Sequence, residues 1–249
     1  MSVHRLWPLL VALSLSPAAA FAANVQVDRG RLVFHLRDQV IGAESFSLEA
    51  SGDSLILISH AYQLLRTSPP ESLKKQVILV AQRMDYGLKS YQSNLTHGRD
   101  QLVRGIVMGD TAFTIYREVN GSGEGDRRVL PPGRIFVLDA QLFSLVNLIC
   151  LSLKDKTFET WPIQLVTLSD QDSVMTGIAT HLGRETIRWA SKPVTARKLT
   201  ISDGTTTFLV WADPAGKMLR LVHEPTQLRI ERDPPAVKRR AASPPKPSG

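Results

Sequence analysis

The sequence Phe-Val-Leu-Asp-Ala-Gln-Leu-Phe-Ser-Leu-Val-Asn-Leu-Ile-Cys-Leu-Ser-Leu occupies residues 136–153. Its apolar side chains recur at spacings of three and four, at Leu142, Leu145, Val146, Ile149 and Leu153. This periodicity predicts an α-helix, and the other apolar residues make it apolar nearly all round, as in a buried helix. A helix of about 15 residues spans about 22 Å, which is too short to cross a membrane comfortably.

The residues at both ends of this stretch support a helix over about 139–153. Asp139 is a suitable N-cap, because its carboxylate can accept hydrogen bonds from the unpaired amides of a first turn. Lys154 and Lys156 follow the stretch, where positive charge complements the carboxyl end of a helix. We therefore expect an apolar helix packed inside the protein.

Strand patterns surround the predicted helix on both sides. Leu32, Phe34 and Leu36 alternate with polar residues, as in a half-buried strand. Similar patterns predict strands over 40–48, 54–66, 76–83, 86–95, 100–108, 111–119, 161–168, 173–182, 185–190, 195–202, 206–211, 218–223 and 227–232. Residues 120–128, which are rich in glycine and charge, are expected to form a flexible loop.

Apolar residues on both faces of several strands imply either two packed sheets or one strongly curved sheet that wraps around an insert. The single apolar helix favours the second arrangement, because such a helix must be enclosed. The sequence thus predicts a mainly β protein: a long curved antiparallel meander sheet, half-barrel or β-spiral, wrapped around one apolar helix over about 139–153. One domain is expected over residues 24–233.

The two ends of the chain differ from this domain. Residues 1–23 have the basic, apolar and small-residue segments of a secretory signal peptide, with cleavage expected near Ala22. We therefore expect a periplasmic or secreted protein with no transmembrane segment in the mature chain. Residues 234–249 are rich in proline and basic residues and are expected to be disordered. This tail is either a solvated end or a contact for anionic lipid headgroups or another acidic polymer.

The formal net charge of +7 derives largely from these ends. Five basic residues lie in them, which leaves 25 basic and 23 acidic residues and a net charge of +2 for the domain: Arg5, Lys238, Arg239, Arg240 and Lys246. This small excess argues against a nucleic-acid surface. Cys150 is the only cysteine, so the chain has no internal disulfide, and its apolar neighbours indicate a buried hydrophobe rather than a nucleophile.

No motif of the mature chain indicates a reaction. The histidines show no metal-ligand spacing: His35, His60, His97, His181 and His223. The chain also lacks a Gly-x-Ser-x-Gly elbow and a glycine-rich phosphate loop. His60 and His223 are in register with apolar strand positions, which favours hydrogen-bonded interior or rim histidines. We expect a protein without enzymatic activity, metal or cofactor.

Two segments carry a resemblance to a known group of proteins. Residues 32–49 read Leu-Val-Phe-His-Leu-Arg-Asp-Gln-Val-Ile-Gly-Ala-Glu-Ser-Phe-Ser-Leu-Glu, and residues 207–221 read Thr-Phe-Leu-Val-Trp-Ala-Asp-Pro-Ala-Gly-Lys-Met-Leu-Arg-Leu. They resemble the first strands and the terminal hairpin of exported bacterial β-rich domains of unknown function, akin to the β-spiral envelope proteins and the lipoprotein-carrier fold. The resemblance implies a curved antiparallel sheet around a helix. Some β-spiral relatives carry a disulfide, from which this chain departs.

Two functions of different class fit this fold. In the first, the concave sheet binds a lipid or another hydrophobic molecule. For each candidate lining residue taken singly, ordinary core packing is the commoner role; the candidates are Phe34, Phe46, Ile58, Tyr62, Trp189, Phe208 and Trp211. In the second, the interior is fully packed and the protein is a structural or interaction scaffold of the cell envelope, which binds a partner protein through strand edges or the basic tail.

Overall fold

The computed structural model describes residues 24–65, 67–68 and 71–235, so the predicted signal peptide and most of the predicted tail lie outside the described residues. The described chain forms fifteen strands and the helix α1 (Ser144–Ser152). The strands are β1 (Val25–Leu36), β2 (Gln39–Ser51), β3 (Ser54–Leu65), β4 (Glu71–Gln82), β5 (Leu88–His97), β6 (Asp100–Met108), β7 (Ala112–Val119), β8 (Ser122–Val129), β9 (Ile135–Asp139), β10 (Thr160–Leu168), β11 (Ser173–Trp189), β12 (Lys192–Ser202), β13 (Thr207–Ala212), β14 (Met218–His223) and β15 (Leu228–Arg232). No helix in this described part has the length and apolar content of a membrane span.

All fifteen strands belong to one sheet, in the order β8-β7-β6-β5-β4-β3-β2-β1-β15-β14-β13-β12-β11-β10-β9. The first and last strands pair at its middle, where Leu32 lies opposite Arg232. The chain meanders outward to β8, crosses to the opposite edge at β9 and returns to the middle. Strand β9 also contacts β5 across the interior, which shows how strongly the sheet curves. The predicted fold class, a curved mainly β sheet around a single helix, is confirmed.

Helix α1 lies inside the curve of the sheet, with all nine of its residues buried. Alternation along the strands explains why the sheet can cover it: in β3, Leu55, Leu57 and Ala61 face the core, whereas Ile58 lies on the outer face. At the amino end of the helix, the rings of Phe34 and Phe143 pack edge to face with centroids 5.0 Å apart. The prediction of one buried apolar helix inside the sheet is therefore confirmed.

The bounds and caps predicted for this helix were wrong. Residues 135–139 form β9, which pairs in parallel with β10, and the chain turns before the helix begins at Ser144. Asp139 ends β9 and does not cap the helix; the residue at the cap position is Phe143, which makes no side-chain cap. The parallel pair, which α1 connects, was not anticipated, because an apolar run does not distinguish a buried strand from a buried helix.

The predicted flexible loop over 120–128 was also wrong. Asn120 and Gly121 form a two-residue turn with φ of 50° and 85°, and β8 then pairs with β7 from Ser122 opposite Val119. Asn-Gly is the strongest short signal for this hairpin, because both of its central residues must adopt positive φ. Strand β8 therefore forms one edge of the sheet, where a loop was expected.

Candidate ligand-binding site

Three buried carboxylates from the sheet hold α1 and the turn that precedes it. They are Asp28 of β1, Glu44 of β2 and Asp139 of β9. A buried carboxylate is tolerated only when hydrogen bonds or cations compensate for its lost hydration. Each of the three carboxylates accepts hydrogen bonds from several partners.

Glu44 caps the amino end of α1. Its Oε2 accepts hydrogen bonds from the backbone amides of Phe143 and Ser144, at 2.7 and 3.1 Å. Its Oε1 accepts from the hydroxyl of Ser59 at 2.6 Å and from the hydroxyl of Ser144. Burial raises the pKa of Glu44, and these hydrogen bonds oppose that rise in part.

Asp28 holds the middle of the helix through Asn147. The Asn147 amide nitrogen donates to Asp28 Oδ2 at 3.0 Å, and its carbonyl accepts from the backbone amide of Met218 at 2.7 Å. The guanidinium of Arg232 also donates to Asp28, and the Lys217 ammonium lies 3.3 Å from it. The helix is therefore tied to β1, β14 and β15 at one position.

Asp139 holds the turn between β9 and α1. It accepts hydrogen bonds from the Lys75 ammonium, from the Tyr91 hydroxyl and from the Ser93 hydroxyl. Lys75 also donates to the carbonyl of Ala140 at 3.0 Å. Burial lowers the pKa of Lys75, and burial together with the Asp139 charge raises that of Tyr91 well above its ordinary value.

These contacts make α1 a fixed element rather than a lid, because opening it would expose three sets of buried polar partners. The carboxylates are occupied by hydrogen bonds, so the arrangement indicates support rather than proton transfer. Among the residues that the structure describes, no group of histidine, cysteine or acidic side chains is arranged to hold a metal ion.

A cavity of about 370 Å³ remains beside the amino end of α1 and opens to solvent. We call it the apolar cavity. Its apolar walls are Phe34, Ile41, Leu138, Ala140, Leu142, Phe143, Val146, Leu168, Phe208 and Leu228. The volume falls within the range of small-molecule sites, about 300–1,000 Å³, and an apolar wall combined with polar side chains is typical of them. The polar lining residues include two carboxylates, those of Asp139 and Asp203.

The polar side chains of the apolar cavity are mostly uncharged. Gln63, Gln141 and Thr206 belong to its lining, and no lysine or arginine does. His223 also belongs to it; its Nδ1 lies 2.7 Å from the hydroxyl of Thr226, and its ring packs against Phe208 with centroids 5.6 Å apart. This lining suits an apolar ligand with a neutral polar group better than one that places an anion inside.

The structure brings only two of the seven predicted lining residues into this cavity, namely Phe34 and Phe208. Phe46 is buried elsewhere, with the guanidinium of Arg232 5.3 Å from its ring. Ile58 and Tyr62 lie on the outer face of β3 and are 40% and 42% exposed.

Trp189 and Trp211 pack in a separate small apolar cluster with Ile187, Ala196 and Leu219. The indole nitrogen of Trp189 donates to the carbonyl of Arg232 at 2.7 Å. These two tryptophans therefore belong to a different part of the protein from the apolar cavity. Strand alternation places these side chains and those of the cavity on different faces, and the curvature of the sheet, for which the sequence has no local signal, decides which face encloses the cavity.

Sequence reasoning missed the residues that loops contribute to the cavity. Ala140 and Gln141 follow β9, Ser169 follows β10, and Thr206 precedes β13. Their positions depend on which strand ends lie together in the curved sheet, for which the sequence has no local signal. His223 is partly exposed at this site, as a rim histidine would be, whereas His60 is exposed on the outer face of β3, so its predicted interior or rim position was wrong.

Comparison with known proteins supports the fold. No family model matches the chain, and no curated protein matches it either. A solved structure, the β-barrel-like protein of a domain of unknown function (DUF1849) from Brucella abortus, matches with a TM-score of 0.57 and 8% sequence identity. The match covers 82% of this chain and 94% of that one. The chain thus shares a β-rich fold with a domain of unknown function, and no enzyme family is indicated.

Proposed function

We propose that this protein is a non-enzymatic exported binding protein that holds a hydrophobic molecule, such as a lipid chain, in the apolar cavity. The observation that carries the proposal is the open cavity of about 370 Å³ that remains beside a helix otherwise fully packed. Burial of each methylene group there contributes about 0.8 kcal/mol, so a chain of about ten buried methylenes offers about 8 kcal/mol, from which the cost of association is subtracted. The predicted signal peptide over 1–23 supports a periplasmic or secreted location.

The ligand is expected to enter with its apolar end first. Phe34, Val146 and Phe208 supply the apolar contact, whereas Gln63 and Gln141 can hydrogen-bond a neutral head group. Because no cation belongs to the lining, a long-chain alcohol is expected to bind at least as tightly as the matching carboxylate.

Native mass spectrometry and a fluorescence assay test this proposal. The mature protein, produced with its own leader, should retain apolar adducts and should raise the fluorescence of N-phenyl-1-naphthylamine. Dodecanol should displace this probe at least as well as dodecanoate. The proposal would be wrong if the mass spectrum showed the protein without adducts and the fluorescence of the probe did not rise.

Two neighbouring threonines provide a matched pair of variants. Thr206 lines the apolar cavity, whereas Thr207 is exposed in the first position of β13. Thr206→Trp should fill the cavity and weaken binding of the probe at least tenfold, and Thr207→Trp should leave it unchanged. Equal binding by both variants would place the probe elsewhere.

One observation favours the alternative function, an interaction scaffold of the cell envelope. On the outer face, Ile58 of β3 lies opposite Ile78 of β4, and the two are 40% and 54% exposed. Contiguous exposed apolar surface marks protein contact sites, and this cross-strand pair is a candidate for such a site. Loss of a captured envelope protein in Ile78→Lys, with probe binding intact, would support this scaffold.

A further inference from the structure

A second cavity, of about 460 Å³, lies at the other end of α1 and shares no lining residue with the apolar cavity. Its walls come from the end of the helix and the residues after it, from β11 and β12, and from the turn between β13 and β14. We call it the basic cavity, after its lining residues Lys154, Lys156, His181, Arg184 and Arg197.

Positive charge exceeds negative charge in this cavity. Two carboxylates also line it, from Asp155 and Asp213, against two lysines and two arginines. Asp213 lies in the turn before β14, where its Oδ1 accepts a hydrogen bond from the backbone amide of Lys217 at 2.8 Å. Asp155 lies 3.8 Å from the ammonium of Lys154 on the surface. Neither carboxylate pairs with the arginines.

Arg197 covers the carboxyl end of the helix. Its guanidinium donates to the carbonyls of Leu153 and Lys156, at 2.7 and 2.8 Å, and lies 4.7 Å from the ring of Phe158. The carbonyls at this end carry partial negative charge and would repel an anion. Because Arg197 covers them, an anion in the cavity meets a guanidinium group instead.

Arg184 supplies positive charge without a partner. It is exposed, and its guanidinium forms no hydrogen bond or ion pair with any part of the chain that the structure describes. Burial lowers the pKa of His181, and the charges of Arg197 and Arg184 lower it further. Burial likewise lowers the pKa of Arg197, and the charge of Arg184 lowers it further. The like charges around this cavity therefore repel one another, and an anion would relieve that repulsion.

We propose that the basic cavity binds an oxyanion, the phosphate or carboxylate group of a small organic molecule, through Arg184 and Arg197. Guanidinium groups bind both kinds of oxyanion with paired hydrogen bonds. The cavity is larger than an inorganic phosphate ion requires, and Phe158, Leu199 and Pro214 provide apolar walls for the organic part.

Isothermal titration calorimetry at low salt tests the site in the mature protein, with phenyl phosphate, benzoate and inorganic phosphate as probes. Phenyl phosphate should bind more tightly than inorganic phosphate, and Arg184→Gln should weaken its binding about tenfold, the loss of one charge-assisted contact. Arg188→Gln is the matched control, because it removes the same charge from an exposed position of β11 outside the cavity. Because Arg184 is exposed, its variant should unfold at the same temperature as the unaltered protein.

The pKa of His181 provides a second, independent test of the basic cavity. A bound oxyanion offsets the two arginine charges, so the pKa of His181, followed by NMR, should rise when phenyl phosphate binds. Benzoate, whose charge is the same at pH 6 and pH 8, should bind more tightly at pH 6 than at pH 8. Both effects should be smaller in Arg184→Gln, because only the Arg197 charge is left for the oxyanion to offset. No binding of any probe at about 10 mM, a limit near 3 kcal/mol of affinity, would overturn the proposal. Equal weakening by Arg188→Gln would overturn it as well.

Discussion

The carboxylate of Glu44 accepts a hydrogen bond from the backbone amide of Ser144 at 3.1 Å, although the two residues lie 100 positions apart in the chain. Ser144 is the first residue of α1, where the backbone amides lack partners inside the helix. A side chain next to the helix in sequence normally fills this role. Here a strand of the enclosing sheet fills it, so the capping of the helix and its position in the sheet depend on the same residue.

Removing this carboxylate should therefore destabilise the protein. We expect Glu44→Ala to lower the free energy of unfolding by about 3 kcal/mol, because it leaves buried hydroxyl and amide donors without an acceptor. Urea denaturation measures the change. Glu49→Ala on the same strand is the control: its carboxylate accepts a hydrogen bond from Asn24 at an exposed site, and a change below about 0.5 kcal/mol is expected. Equal losses in the two variants would contradict the role of Glu44.

The raised pKa of Glu44 predicts a specific dependence on pH. Between the ordinary value of 4.5 and the raised value, the folded state keeps a proton on Glu44 that the unfolded state has released. Stability from this group therefore falls as pH rises through that interval and is regained as pH falls. Relative to Glu44→Gln, the unaltered protein should gain stability when the pH is lowered from 8 to 5. A relative loss instead would mean that the hydrogen bonds outweigh the burial.

Lys75 and Asp139 should show strong coupling in a double-mutant cycle. Lys75→Met and Asp139→Asn each break a buried pair, so each should cost about 3 kcal/mol, and the double variant should cost clearly less than their sum. The pair Lys198–Glu185, at 2.8 Å with partly exposed side chains, is the control, for which much weaker coupling is expected. Additive losses at Lys75 and Asp139 would rule out the coupling.

Cys150 should be unreactive in the folded protein. Burial raises the pKa of its thiol from 9.0 to about 12, so the thiolate fraction at pH 8 falls about a thousandfold. Ellman's reagent should label it only after denaturation in concentrated urea. Rapid labelling without denaturant would show that the core around the helix opens readily.

Gly216 and Gly204 separate backbone strain from close packing. Both have positive φ, of 82° and 88°, but an added Cβ meets nothing within 4 Å at Gly204 and lies 2.7 Å from Lys154 Cβ at Gly216. We expect Gly204→Ala to cost about 1 kcal/mol from strain alone and Gly216→Ala to cost about 3 kcal/mol. Thermal unfolding compares them. Similar losses of stability in the two variants would show that the turn at Gly216 is not closely packed against the residues that follow the helix.

Local patterns predicted much of the fold. The alternation of Leu32, Phe34 and Leu36 identified the first strand, and the spacing of Leu145 and Ile149 identified the helix. The burial of Cys150 is also confirmed. These predictions succeed because the side chains concerned lie two to four positions apart, where the geometry of one strand or one helix decides which face they share.

The site depended on contacts between distant positions, and there the sequence was insufficient. Phe34 and Phe208 meet at one cavity, while Trp211, three residues from Phe208, belongs to another cluster. An odd separation along a strand places two side chains on opposite faces. Which face becomes the interior is decided only when the sheet curves.

By itself, the sequence determined that the chain builds strands around one apolar helix, since hydrophobic periodicity is a property of neighbouring residues. Only the tertiary structure decided that β9 pairs in parallel with β10, that Glu44 caps α1, and that an apolar cavity and a basic cavity lie at opposite ends of that helix. The physical reason is that these features join residues far apart in the chain. Their meeting depends on sheet order and curvature, which no local pattern encodes.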